Sequence, residues 1–195
     1  MFNKAQKELI LKLFSMFVVV RGLNLAVIVV AQYITAIFIM APSQSLSEVL
    51  LDRSLFALIL SSVAAIASGY IINNFYDSEK DSINRPQQVT IERLVSQNTK
   101  LMLYFILNIL VIINASYVSF RAVIFFSLYI FMIWFYSHKI KKRPLIGNLT
   151  SAILTITPFF AIFLYYKNFS SLIFVFGFYL FLILSMIEKQ ICNYI

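Results

Sequence analysis

The sequence predicts an all-α fold, a polytopic transmembrane helical bundle of about six helices, forming one domain over residues 1–195. Three observations predict it. The chain is 61% hydrophobic and only 12% charged, where a soluble domain carries about 25% charged residues. Its apolar residues are gathered into six runs, most of them long enough to cross a bilayer core. Its Lys and Arg residues collect at the ends of those runs, mostly on one side of the expected membrane. Mean hydropathy is +0.87, and the twenty Phe and eleven Tyr suit lipid-facing and interfacial positions.

Residues 1–15 alternate Lys4, Lys7 and Lys12 with Phe2, Leu9, Ile10, Leu13 and Phe14, the pattern of a short helix lying on a membrane surface. A first span is expected over Val18–Met40, with Arg21 near its start. A polar connection, 42–54, leads to a second span over Leu55–Phe75. The small residues Ser61 to Gly69 in that span allow close helix packing, so it belongs inside the bundle. Ser82–Lys100 is polar and reads as a long loop of the kind that carries functional groups. A third span is expected over Leu101–Ser119 and a fourth over Ala122–Tyr136. Only Phe120 and Arg121 separate them, which predicts a tight antiparallel pair. The basic loop His138-Lys139-Ile140-Lys141-Lys142-Arg143 follows. A fifth span over Ile146–Tyr166 contains Pro158, a predicted kink. A sixth is expected over Leu172–Ile187.

Charge orients these spans. Twelve Lys and Arg lie on the side that holds the N-terminus, the 76–100 loop, the 137–145 loop and the C-terminus; Arg53, Arg121 and Lys167 lie on the other. The positive-inside rule then makes the first side cytoplasmic. The expected location is an integral membrane protein of a bacterial inner membrane. The net charge of +8 does not indicate nucleic acid, because no separate basic domain carries it. One cysteine, Cys192, excludes an intramolecular disulfide and a cysteine-based metal cluster. One histidine, His138, excludes a multi-histidine metal site within the chain.

The acids gather in one place, Asn73-Asn74-Phe75-Tyr76-Asp77-Ser78-Glu79-Lys80-Asp81, directly after the second apolar run. If the helix continues, Asn73, Asp77 and Asp81 fall at i, i+4 and i+8 and share one face. Oxygen ligands kept at the end of a membrane helix point to a functional site. Mg²⁺ prefers such ligands and often bridges carboxylates to substrate phosphates. The simpler alternative is a polar helix end whose acids are solvated. The shared cytoplasmic face of these acids and the Lys139, Lys141 and Lys142 cluster favours a Mg²⁺–diphosphate site. Arg21 either snorkels to headgroups or meets an anionic substrate.

The stretch from Asn73 to Asp81, with Asn84-Arg85-Pro86 after it, resembles the first aspartate-rich motif of the UbiA superfamily of intramembrane prenyltransferases. That motif reads Asn-Asp-x-x-Asp-x-x-x-Asp, then Asn-Arg-Pro or Asn-Lys-Pro, at the cytoplasmic end of the second helix. Arg21, Tyr136-Ser137 and Gly147-Asn148 are supporting matches. The resemblance implies transfer of a prenyl group from an isoprenyl diphosphate to a lipophilic or aromatic acceptor, a quinone precursor or a glycerol-phosphate lipid, within membrane lipid. It implies Mg²⁺ on Asn73, Asp77 and Asp81, which are then also the catalytic residues. It implies substrate contacts from Arg21, Arg85, Tyr136, Lys139, Lys141, Lys142 and Asn148.

Three departures stand out. Asn74 replaces the usual Asp, leaving an amide oxygen as a weaker ligand. Gln87-Gln88-Val89-Thr90 replaces the usual residues after Pro86. No Asp follows Asp81, whereas the family carries a second aspartate-rich motif and about nine helices. The third departure implies a member shortened at its C-terminus. The alternative function is a non-catalytic membrane protein or assembly subunit. A small transporter fits less well, since no span carries an acid near its middle.

Overall fold

A computed structural model describes residues 3–84, 86–167 and Gly177. The described residues are helical throughout their main elements and contain no strand. The elements are α1 (Lys4–Val19), α2 (Gly22–Thr35) prolonged by a π-helical turn (Ala36–Met40), α3 (Leu46–Leu50), α4 (Arg53–Asn84), α5 (Pro86–Glu92), α6 (Gln97–Val118), α7 (Phe120–His138) and α8 (Pro144–Tyr166). A 3-10 turn, Ile140–Lys142, precedes α8. Five helices among the described residues are long and apolar enough to cross a membrane: Gly22–Met40, Arg53–Ser78, Gln97–Val118, Phe120–His138 and Ile146–Tyr166. The expected sixth span, Leu172–Ile187, lies outside the described residues.

α4 is the axis. In its most apolar stretch 67% of the residues are buried, against 11–33% in the other four spans. It touches α1, α2, α5, α6, α7 and α8. The small residues make this possible, as predicted: Ser61, Ser62, Ala64, Ala65, Ala67 and Ser68 are all buried. The serine hydroxyls would be costly in an apolar interior, so they donate back to their own helix. Ser61 bonds Ala57 O at 2.9 Å, Ser62 bonds Leu58 O at 3.1 Å and Ser68 bonds Ala65 O at 2.8 Å. Asp52 starts the helix by accepting from the N–H groups of Ser54 (2.9 Å) and Leu55 (3.2 Å). From there α4 runs 32 residues, about 48 Å at 1.5 Å per residue. The acidic stretch is therefore its last turns.

Two expectations need correction. The first span does not begin at Val18. The chain breaks at Arg21, which takes a left-handed conformation (φ 52°, ψ 54°), and the spanning helix starts at Gly22. The 82–100 segment is not an open loop either. α4 continues to Asn84, α5 occupies 86–92, and Ser96 caps α6 through Thr99 N at 3.1 Å. Its polar composition suggests a loop, but Val89, Glu92, Val95 and Lys100 are buried while Gln87, Thr90, Arg93 and Asn98 stay exposed, so the polar residues form the outer side of short helices. The α6–α7 hairpin is tighter than expected. Ser119 alone joins the two helices, and its hydroxyl accepts from Ala122 N at 3.1 Å.

Pro158 lies inside α8. A proline has no N–H, so the carbonyl four residues earlier, Leu154 O, loses its helical donor. Tyr129 of α7 fills that place, its hydroxyl donating to Leu154 O at 3.0 Å. Gln32 of α2, fully buried, donates to Pro158 O at 3.1 Å. The interruption in α8 thus ties it to α7 and α2. Tyr129→Phe should lower stability by about 1 kcal/mol, measured by unfolding in mixed detergent micelles. Adding Pro158→Ala, which restores a backbone donor for Leu154, should recover most of that loss.

Candidate diphosphate site at the end of the central helix

One face of α4 carries Ile66, Tyr70, Asn73 and Asp77 in turn. The first three, with Gly69, line a cavity of about 280 Å³ whose other walls are Arg21 and Ile28 before and on α2, Tyr129, Ile133, Tyr136 and Ser137 on α7, and Ser151, Leu154 and Thr155 on α8. Gly69 allows α7 this close: a Cβ there would stand 2.8 Å from Ile133 Cγ2. A larger groove of about 430 Å³ lies between α4, α6 and α7. No charged side chain lines it, so the smaller cavity is the chemical candidate.

Asn73 belongs both to the cavity wall and to a polar cluster at its mouth. Lys141 Nζ donates to Asn73 Oδ1 at 3.0 Å and makes an ion pair with Asp77 Oδ2. The pair is partly desolvated, with the Asp77 side chain 16% exposed and that of Lys141 35% exposed. Gly147 explains how Lys141 reaches this point. A Cβ at Gly147 would lie 3.2 Å from Ile140 O and 3.3 Å from Lys141 O, so its absence lets the 3-10 turn seat on the first turn of α8.

Arg21 enters from the other side. A left-handed backbone costs a non-glycine residue about 1–2 kcal/mol, and such strain is commonly retained where it places a functional side chain. Here it starts α2, as Arg21 O accepts from Asn24 N at 2.8 Å and Leu25 N at 3.2 Å. It also sets the guanidinium over the Tyr70 ring, 5.1 Å from the centroid. So Arg21, Asn73 and Tyr136 share one cavity, and Lys141 and Asp77 join Asn73 at its mouth.

The remaining predicted residues divide. Asp81 follows Asp77 by one turn of α4, but its side chain, and the whole of Arg85, lie outside the described residues. Lys139 and Lys142 are exposed, and neither makes a described contact with Asn73 or Asp77. Asn148 is partly buried at the start of the second turn of α8, again without a described contact to that pair. His138 stacks on Trp134 with ring centroids 5.6 Å apart and tilts against Tyr76 at 5.3 Å.

Asn74 bonds a different set of groups from Asn73. It points away from Asn73 and Asp77 into a buried network. Lys100 Nζ donates to Asn74 Oδ1 at 2.9 Å, and Asn74 Nδ2 donates to Glu92 Oε2 at 2.5 Å. Lys100 is 2% exposed and Glu92 6%. The amide joins an ammonium to a carboxylate, so two buried charges offset each other through one neutral group. The network fastens α5 to α4 and α6. Ser15 of α1, fully buried, completes the attachment by donating to Ile91 O at 2.8 Å. Sequence reasoning counted Lys100 among surface charges and gave Glu92 no role. Eighteen and twenty-six residues separate them from Asn74, and no local spacing signals such a pairing.

The residues present suit a hard cation. Asn73 Oδ1 and Asp77 Oδ2 already converge on one cationic atom, and both are oxygen donors of the type Mg²⁺ takes. Among the described residues no three His, Cys, Asp or Glu side chains gather.

Comparison with known proteins bears on the same face. The sequence profile of the UbiA prenyltransferase family matches residues 15–189. The chain belongs to the UbiA prenyltransferase family. Digeranylgeranylglyceryl phosphate synthase of Thermococcus sibiricus is 38% identical over 93 residues, covering 47% of this chain and 33% of that protein. The enzymes of the same name from Pyrococcus furiosus and Sulfurisphaera tokodaii are 32% and 31% identical over 89 and 101 residues, covering 46% and 52% of this chain and 32% and 36% of theirs. The matched stretch thus spans about a third of the length of these curated relatives. No solved structure matches the chain.

Lys100→Met removes the donor of Asn74 Oδ1 and the buried ammonium that offsets the Glu92 charge, and should cost about 3 kcal/mol, read as a lower midpoint in detergent unfolding. Lys100→Met with Glu92→Gln removes both charges and should be markedly less destabilised than the single variant.

Proposed function

We propose that this UbiA family protein is an intramembrane prenyltransferase that binds an isoprenyl diphosphate at Asn73, Asp77 and Lys141 and transfers the prenyl group to a glycerol-phosphate lipid. The observation that carries the reading is the convergence of Asn73, Asp77 and Lys141 at the mouth of a cavity walled by Arg21, Tyr70 and Tyr136. A polar mouth on an apolar cavity suits a substrate with a charged head and a hydrocarbon tail. The names of the relatives, digeranylgeranylglyceryl phosphate synthases, favour a glycerol-phosphate lipid over an aromatic or quinone-precursor acceptor.

In this reading Lys141 and Arg21 take the diphosphate oxygens. As the allylic C–O bond breaks, its electron pair leaves with the diphosphate. The two cationic side chains stabilise the negative charge that grows there. Mg²⁺ bound at Asn73, Asp77 and Asp81 would supply further neutralisation of the same charge. Tyr70 and Tyr136 line the cavity in which the prenyl carbon becomes electron-poor, and aromatic rings can stabilise positive charge. An acceptor hydroxyl then forms the new C–O bond and releases its proton. Arg85, Lys139, Lys142 and Asn148 are proposed as outer contacts to the diphosphate or the acceptor.

The Asn73–Asp77 end is proposed to face the cytoplasm, following the charge bias. The relatives are archaeal, so the proposal is drawn for a cytoplasmic membrane without a bacterial assignment.

Purified protein in lipid vesicles should transfer label from an isoprenyl diphosphate to a glycerol-phosphate lipid, and EDTA should abolish the transfer. Asp77→Asn should lower kcat/KM by about 10²–10³, and Mg²⁺-dependent diphosphate binding should fall with it. Wild-type transfer in Asp77→Asn, or binding indifferent to EDTA, would overturn the proposal.

A further inference from the structure

Lys141 stands in an odd position for a residue whose only task is to hold substrate. Its ammonium is on the two oxygens expected to receive a metal ion. One atom satisfies both Asn73 Oδ1 and Asp77 Oδ2, which sit a turn apart on α4. A positive charge and three donors make it a good match for an amide oxygen and a carboxylate. The three groups described in contact are neutral together: one Asp, one Lys and an uncharged amide. A divalent ion arriving alone must break the ion pair and leave the ammonium beside added positive charge. At the separation of neighbouring side chains that repulsion is appreciable in a partly desolvated site.

A diphosphate changes the balance. It offers several anionic oxygens, and the ammonium can leave Asp77 for them by rotating its own flexible stem, without moving α4. The freed carboxylate then faces the cavity mouth with its charge uncompensated. We propose that Lys141 is the resting occupant of the cation site, and that diphosphate admits the metal by drawing this ammonium off Asp77. The inference rests on the prenyl-diphosphate reading above and adds a coupling to it: metal and diphosphate bind better together than apart, by equal factors in both directions. Its practical effect is that the site holds metal poorly until substrate is present.

Lys141 thereby has opposite effects on the two ligands, which a purely structural role does not produce. The test uses the full chain in detergent, with Mn²⁺ as the paramagnetic probe of the metal site and free-ion EPR as the readout. For Lys141→Met, Mn²⁺ alone should bind about three- to tenfold tighter than in the wild type. Binding of an isoprenyl diphosphate in EDTA should weaken about tenfold in the same variant. Lys142→Met removes an equal charge one residue on, from an exposed side chain, and should shift Mn²⁺ affinity by much less. If Lys141→Met binds Mn²⁺ no tighter than wild type, or if Lys142→Met matches its gain, the resting-occupant role is overturned while the metal site stands. If neither the wild type nor Lys141→Met binds Mn²⁺ at all, the metal reading of Asn73 and Asp77 falls as well. Tighter Mn²⁺ binding that is lost again in Lys141→Met with Asp77→Asn supports the proposal and assigns the metal to Asp77.

Discussion

The structure depends on one helix staying intact through a change of solvent. α4 begins under an Asp52 cap, crosses the bundle on a strip of Ser and Ala, and emerges with Asn73 and Asp77 on a single face. Nothing in its apolar half would hold a polar terminus in place unless the helix continued beyond it. Continuity converts position in the bundle into position at the site: the residues that pack against α7 and the residues that meet Lys141 belong to the same rigid rod. A break in that rod would disconnect the cavity wall from its mouth.

Around that rod, polar groups are placed where an apolar interior would otherwise penalise them. Leu154 O, deprived of its donor by Pro158, is matched by Tyr129. Lys100 and Glu92 reach each other's field through Asn74. In both cases the group that resolves one unsatisfied atom also connects two helices. The packing of α5 shows the same economy, since its nearly two turns are held by Ser15 of α1 through Ile91 O and by Asn74 of α4 through Glu92. A few specific bonds thus join the helices near the site, beside the buried Ile71, Ile72, Val89 and Val95.

The periodicity of the sequence made the spans legible. It also placed Asn73 and Asp77 on one face, because helix geometry alone decides that. The basic loop was legible as a class, although the choice of Lys141 over Lys139 and Lys142 was not. That choice follows from how closely the 3-10 turn seats on Gly147, a contact between segments. Arg21 was singled out for its charge in an apolar setting, but its left-handed backbone left no mark in the pattern around it. Polar composition in the 82–100 segment signals a loop, yet Gln87, Thr90, Arg93 and Asn98 are the solvent-facing side of short helices whose Val89, Glu92, Val95 and Lys100 are buried. The bonds of Asn74 were not legible either: its partners, Glu92 and Lys100, are distant in sequence and invisible to local spacing.

The one-residue turn at Ser119 has a consequence of its own. Between Asp77 and Lys141 the chain makes two crossings, α6 outward and α7 back, with no slack between them. The two halves of the charged cluster are thus related by parity. An even number of crossings returns the chain to the leaflet it left, whichever way the bundle as a whole is inserted. Orientation in the membrane can alter which compartment supplies the ligands, but it cannot part the acid from its lysine. Only a change in the number of crossings could do that, and a hairpin this short leaves or enters the bilayer as a pair.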